Sequence, residues 1–505
     1  MKKILAFLLI FSLSFFACDN SDPPDDNPDT PVEPVKTRDD FNQWTDWLKY
    51  KYGHDTWTGW LQQKYGNDFG YDAVNGIGGL KEEITHNMLA EEYFFAKGLN
   101  AGWNLGNTYE LNSNPRASSG NYNKVFPGIK AAGFNVIRIP CTWGGQTTNN
   151  VVSSSFLDQV EAAVQAAHAA GLVVFINTHH DKSYFDLKSA GNSLRDEGEG
   201  GIDFLRFTDR FENVWRQIAE RFKDYGSWLI FESLNEPTIT DDLGQTRWDG
   251  APAIYHEVLN RWNQTFVETV RATGGNNAKR YLIFKSYAGK LQTSLDPTNN
   301  FKIPTDPVGP GRLVFSFHAY IPQPLGLEGQ NTNWGPTFIN QYNGAFNQVG
   351  DAYTEKGIPA FMGETGATFH SQRSGDDPEV ANSSAQANRN RLLMLNALGF
   401  AARRLSVIPC LWDNGEATNG SQNGETFAMF RRKSAHDNNV NNWGLPIDHT
   451  KLAGGSNPDS SGGSAMNAGN AARNDPDFGK RTIEAFIDAI NGRRPLGEPR
   501  MAVEE

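Results

Sequence analysis

The chain has 505 residues, with 46 Lys plus Arg against 58 Asp plus Glu and a net charge of −12. Its 38% hydrophobic and 12% aromatic residues suffice for a large core with Trp and Tyr left over for a binding surface. The acidic balance, without any basic run, argues against nucleic acid and leaves a neutral polymer easier to accommodate.

Met1-Lys2-Lys3 is followed by a mostly apolar stretch from Ile4 to Ala17 and then Cys18. That stretch is too short to span a membrane and stay, so residues 1–18 are expected to be an export signal. Phe16-Ala17-Cys18 resembles a bacterial lipoprotein cleavage box, which makes Cys18 the expected lipid carrier. The plainer reading is an ordinary signal peptide cut nearby. Residues 19–40, rich in Asp and Pro, bury too little to order themselves and form an acidic linker. The expected product is exported: an outer-membrane or cell-surface lipoprotein touching the membrane through lipid alone, otherwise a secreted protein.

Residues 41–84 form a Trp-rich extension containing a repeat. Trp44-Thr45-Asp46-Trp47-Leu48 recurs as Trp57-Thr58-Gly59-Trp60-Leu61, and Lys51-Tyr52-Gly53 as Lys64-Tyr65-Gly66. Each copy predicts a short amphipathic helix stopped by Gly, packed as a hairpin or carrying aromatics for sugar contact.

From residue 85 onward, apolar runs alternate with helical patterns. The runs lie at Phe95–Trp103, Phe134–Ile139, Leu172–Asn177, Trp228–Phe231, Tyr281–Phe284, Leu313–Phe317, Ile358–Met362 and Val407–Leu411. Helices are predicted at Phe156–Ala170, Phe204–Lys223, Ile254–Ala272, Asn388–Arg403 and Thr482–Ile490, with Gly133, Gly171 and Gly274 as left-handed caps. Eight β–α alternations with nearly continuous apolar strands predict an α/β protein of the (β/α)8 (TIM) barrel type, spanning residues 85–495. Catalytic groups then belong at the C-terminal ends of the strands. The Asn-, Gly- and Ser-rich residues 416–478 interrupt this rhythm as a long loop, of which Met429-Phe430-Arg431 could pack on the barrel. Cys141 and Cys410 sit in strand contexts that favour buried free thiols over a disulfide.

The strand ends are unusually polar. In order they carry Trp103-Asn104-Leu105-Gly106-Asn107, Arg138 with Trp143 just beyond, His179-His180-Asp181, Asn235-Glu236-Pro237, Lys285-Ser286-Tyr287, His318-Ala319-Tyr320, Glu364, and Trp412-Asp413-Asn414. Two carboxylates delivered by buried strands on opposite sides of a barrel are what glycosidic bond cleavage requires.

The segments GWNLGN, IRIP, NTHHD, FESLNEP, FHAY, IPAFMGETG and LWDNG resemble, in order, the strand-end motifs of glycoside hydrolase family 5. NQTFVETVRATGGNN adds a likeness to its fourth subfamily, mainly endo-β-1,4-glucanases with xyloglucan- and mixed-linkage-glucan-active members. The likeness covers about residues 85–495. It implies Glu236 as general acid/base, kept protonated by nearby negative charge, and Glu364 as nucleophile, ionised beside Arg138 and the Tyr320 hydroxyl. The two carboxyl groups are then expected ~5–5.5 Å apart, the separation of a retaining double displacement. Asn235 is expected on the sugar 2-OH, His318 and Tyr320 on one face, Trp412 as a sugar platform, and His179 with His180 on sugar hydroxyls. The likeness also implies sugar contact for Asn104 or Asn107.

Other readings stand beside these. Glu232 shares strand parity with Glu236 and is expected as a buried partner for a cation such as Lys285. His168 is expected as a surface or packing residue. Trp143 and Trp334, on loops, are expected to stack in the cleft. His179-His180-Asp181 lacks a complete metal-ligand set, so no metal or organic cofactor is implied. The expected partner is a β-linked polysaccharide, and a monomer is the default. Rival substrates are xyloglucan, mixed-linkage glucan and mannan. A rival of another class is a glycan-binding lipoprotein without catalysis.

Overall fold

The computed structural model describes residues 76–111, 121–321, 326, 335–367, 378–405, 407–415, 427–432, 441, 443–447 and 478–491. The export signal, Cys18, the linker, the Trp repeat, Trp334 and most of the 416–478 loop lie outside the described residues.

Parallel strands close on themselves into a barrel of eight. They are β1 (Gly102–Asn104), β2 (Val136–Ile139), β3 (Val173–Asn177), β4 (Leu229–Glu232), β5 (Leu282–Lys285), β6 (Leu313–His318), β7 (Ala360–Thr365) and β8 (Ile408–Leu411). Each pairs with the next, and β1 closes on β8 through Gly102 opposite Cys410 and Trp103 opposite Leu411. All eight strands are buried along their length, as expected when side chains fill the barrel and helices cover its outside.

The predicted helices are present as α3 (Ser154–Ala169), α5 (Ile202–Arg221), α6 (Ala253–Ala272), α9 (Pro378–Leu405) and α10 (Phe478–Ile490). Unpredicted ones are α1 (Ala90–Ala96), α2 (Tyr122–Ala131), α4 (Leu187–Glu197), α7 (Leu291–Leu295) and α8 (Pro336–Ala352). Gly133, Gly171 and Gly274 all have positive φ, as their cap roles require.

The first apolar run needs correction. Phe95 lies in the last turn of α1, Gly98 turns the chain at φ 60, and only Gly102–Asn104 is strand. The buried Tyr93 and Phe94 of α1 pack against Tyr281 and Phe175. A short buried helix is apolar on consecutive residues, so periodicity cannot separate it from a strand. Residues 76–84, assigned to a helical extension, contain no helix; the Gly78 and Gly79 carbonyls accept bonds from His168 and Trp228. His168, also ring-to-ring with Trp228 at 4.3 Å, is the packing residue expected.

Part of the long loop returns to the barrel. Phe427, Ala428, Met429 and Phe430 are buried, and Phe430 meets Trp103 and Phe134 edge-on. Asp413, just past β8, anchors this return through the backbone amide of Met429 (2.9 Å) and through Arg432. Cys141 and Cys410 are both buried free thiols.

Candidate active site

The site is assembled around Arg138, which points into the barrel from β2 with no exposed surface. Its Nε donates to Glu232 Oε2 (2.6 Å), Nη1 to Glu364 Oε1 (2.9 Å) and Asn104 Oδ1 (3.1 Å), and Nη2 to Asn235 Oδ1 (2.7 Å). Burial works against its charge, and Glu232 with Glu364 outweigh that. Lys285 Nζ lies 2.7 Å from Glu232 Oε1, so Glu232 is the buried counter-ion that its strand parity predicts. Burial pushes the Glu232 carboxyl up, but Arg138 and Lys285 together hold it below the usual range.

The alignment of β6 with β7 decides where the working groups sit. Phe317 pairs with Met362, then the register shifts and His318 pairs with Glu364. A shift of this kind re-aims side chains locally. Gly363, the residue passed over, has no room for more: a Cβ there would lie 2.9 Å from His318 Nε2. His318 thereby comes between the two carboxyls, with Nδ1 2.8 Å from Glu236 Oε1 and 3.6 Å from Glu364 Oε2. One oxygen of Glu236 and one of Glu364 lie within 4.8 Å of each other. Tyr320 Oη donates to Glu364 Oε2 at 3.4 Å. The side chain of Glu236 keeps 20% of its surface open and that of Glu364 keeps 8%, so both can be reached.

The two carboxyls differ in ionisation. Burial raises Glu236 most, the Glu364 charge adds to it, and the result is a pKa pushed up to about 8. Nearby negative charge, the cause expected from sequence, is thus the second contribution rather than the first. Burial also raises Glu364, against the opposing pull of Arg138 and Lys285. The shared proton therefore belongs on Glu236. Burial, Lys285 and Arg138 hold His318 well below its ordinary value, so its ring is neutral.

The remaining predicted residues divide between the site and its support. Trp412 is half-buried, and its ring is parallel to that of His179 within 2° at 5.9 Å between centroids. His180 is exposed and sits edge-on to His179. Asn235 has its oxygen on Arg138, which leaves its amide nitrogen as donor, facing His179 Nε2 at 3.3 Å. Asn104 is fully buried and bonds Arg138 and the Gly363 carbonyl, so it supports the site from below and does not reach a sugar. Asn107 occupies a left-handed turn at φ 52, with its amide held by Glu110. Trp143 is a correction: it is wholly buried, bonds the Asn177 carbonyl through Nε1 (2.8 Å) and packs on Phe156, so it cannot stack in a cleft.

Sequence reasoning missed three features. Lys285 Nζ contacts His318 Nε2 at 2.6 Å as well as Glu232. Asp181 pins the Trp143 and Gly144 amides and so shapes the loop after β2. Trp248, 41% exposed on the loop after β4, lies under Lys182 Nζ at 4.6 Å. An isolated Trp in a polar loop was the only available signal for the last.

Glu236, His318 and Glu364 offer three close donor atoms of the kind that ligate divalent metals. Their surroundings do not fit an ion. The Lys285 ammonium already sits against His318, Arg138 against Glu364, and a dication would strip the proton from Glu236.

Residues 97–418 match the model of the family described as cellulase (glycosyl hydrolase family 5). The chain belongs to glycoside hydrolase family 5. Endoglucanase A of Paenibacillus barcinonensis is 30% identical over 371 residues, covering 68% of this chain and 87% of that one. A xyloglucan-specific endo-β-1,4-glucanase of Bacteroides ovatus is 32% identical over 344 residues, covering 63% and 64%. A broad-specificity endoglucanase of subfamily 4 from Bacteroides salanitronis superposes with a TM-score of 0.59 at 25% identity, covering 82% of this chain and 97% of that one. These likenesses support subfamily 4 for this family 5 enzyme, and the family-model span 97–418 encloses every residue of the Arg138 cluster.

Proposed function

We propose that the protein is a retaining endo-β-1,4-glucanase, with Glu236 as acid/base and Glu364 as nucleophile. The observation that carries this is the pair of carboxyl oxygens within 4.8 Å, one group protonated and the other paired with Arg138. Such closeness is the short separation of a retaining pair, whereas an inverting enzyme holds its carboxyls farther apart to admit a water beside the sugar. In the first step a Glu364 oxygen attacks the anomeric carbon while the bond to the departing sugar breaks. Glu236 gives its proton to the leaving oxygen. In the second, Glu236 takes a proton from water, the hydroxide equivalent attacks the same carbon, and the ester to Glu364 breaks. Arg138 and Tyr320 face the nucleophile throughout, and Trp412 offers the flat surface for the sugar whose bond is cut.

Reducing-sugar release measured side by side on carboxymethyl cellulose, xyloglucan, barley glucan and glucomannan tests the substrate. Release on the first three, which share β-1,4-linked glucose, is the expected result. Activity confined to glucomannan would reject the glucanase reading. Xyloglucan is kept as a second reading because the Bacteroides ovatus relative is named for it; a rate on xyloglucan well above the others would select it.

On the same reading the enzyme is exported and tethered by lipid on Cys18. The supports are the basic start, the apolar stretch, the Phe16-Ala17-Cys18 junction and the acidic linker that follows. Radioactive palmitate fed to cells should label the wild type and not Cys18→Ala. Label that persists in the variant, or is absent from both, overturns the anchor.

A further inference from the structure

Lys285 takes no part in the bond-making steps above, yet it is fully buried and touches two members of the site. Its Nζ is 2.7 Å from Glu232 Oε1 and 2.6 Å from His318 Nε2. Ser316 Oγ bonds the same Glu232 oxygen at 2.9 Å, and Glu232 Oε2 is taken by Arg138, so this carboxylate is fully committed. We propose that Lys285 is a charged positioning residue that locks His318 in the Nδ1–H tautomer and so places the acid proton of Glu236 on Oε2. The inference rests on Glu236 being the acid/base.

The geometry gives the logic. An ammonium has only donors, so its contact with His318 Nε2 requires that nitrogen to accept. A neutral ring then carries its hydrogen on Nδ1, 2.8 Å from Glu236 Oε1. Oε1 is thus an acceptor, and the transferable proton lies on the other oxygen. Burial lowers the Lys285 pKa, and the Glu232 charge opposes this. Were Lys285 neutral, it could accept from Nε2–H, and Nδ1 would instead take the proton of Glu236.

Charge counting supports the charged form. At rest the cluster holds two cations, Arg138 and Lys285, against two carboxylates, Glu232 and Glu364, with Glu236 neutral. After the first chemical step Glu364 is an uncharged ester and Glu236 a carboxylate. The sum is unchanged, so the buried cluster is never left with excess charge during the cycle. Lys285 speaks to the new carboxylate through the polarised His318 ring, whereas Arg138 faced the old one.

Two readouts test this. The first needs no turnover: ring nitrogen-15 shifts of histidine-labelled protein, with His318 assigned by His318→Gln. The Nδ1–H tautomer is expected, and Nε2–H would overturn the proposal even if Glu236 proved to be the acid. The second is the pH profile of kcat/KM. The charges acting on Glu236 come from Glu364, Lys285, Lys182 and Arg138, with neutral His318 in contact. Lys285→Met removes a cation and should move the alkaline limb up by about 1 unit, whereas Glu232→Gln removes an anion and should move it down. Loss of packing alone would lower the rate without shifting the limb, and limbs that stay in place in both variants sink the idea. If neither variant folds, the wild-type tautomer alone decides.

Discussion

Glu364→Ala is expected to lower turnover on a soluble glucan by about 10⁴-fold or more while leaving oligosaccharide binding nearly intact. The carboxylate is held in place by a buried guanidinium, Arg138 Nη1 at 2.9 Å. On the proposed reading, removing it deletes the atom that forms the covalent bond and leaves Trp412, His179 and Asn235 to hold the sugar. The vacated space also permits a sharper check. Azide entering from that face of an activated aryl cellobioside should restore turnover and give the α-glycosyl azide, because one displacement inverts the anomeric carbon. Formation of the β-azide, or turnover above about a hundredth of wild type without azide, would reject Glu364 as the nucleophile.

Much of this arrangement was legible from the residues. Polar groups at the ends of apolar strands announced a barrel with a site at one end, and Glu232 was identified from strand parity because side chains alternate along a strand. Met429-Phe430-Arg431 was distinguished from its loop by two large apolar side chains, and Met429 and Phe430 are buried on the barrel. Illegible features depended on events outside the local pattern. Trp143 follows a strand as a cleft residue would, but its direction is set by a bond to the Asn177 carbonyl on the neighbouring strand. Asn104 lies deep rather than at the rim because β1 ends level with Arg138. The register shift at Gly363, at which a glycine inside a strand only hints, is what seats His318 between the carboxyls. Lys285 was visible as a cation for Glu232, but its second contact with His318 depends on that shift. The raised Glu236 pKa also comes first from burial, which no motif reports.

Glu236→Ala has a consequence that separates it from its partner across the barrel: its cost should depend on the leaving group. With a glucan, the departing alcohol needs a proton, and loss of the acid should slow kcat/KM by about 10²–10⁴-fold. With a dinitrophenyl cellobioside the departing phenolate is stable without protonation, so the first step should run near the wild-type rate. The glycosyl-enzyme then accumulates, since no base remains to activate water, and a burst of dinitrophenol should precede a slow steady state. Azide should accelerate that second step and give the β-glycosyl azide, the opposite anomer from the Glu364→Ala product. The pH profile adds a signed test. In the wild type the acid must hold its proton, so kcat/KM on glucan should fall as pH rises through about 8, the raised pKa of Glu236. In Glu236→Ala that alkaline limb should vanish, because the group that titrates is gone. An unchanged limb in the variant would assign the proton to another residue, with Tyr320 and His318 the nearest alternatives at the site.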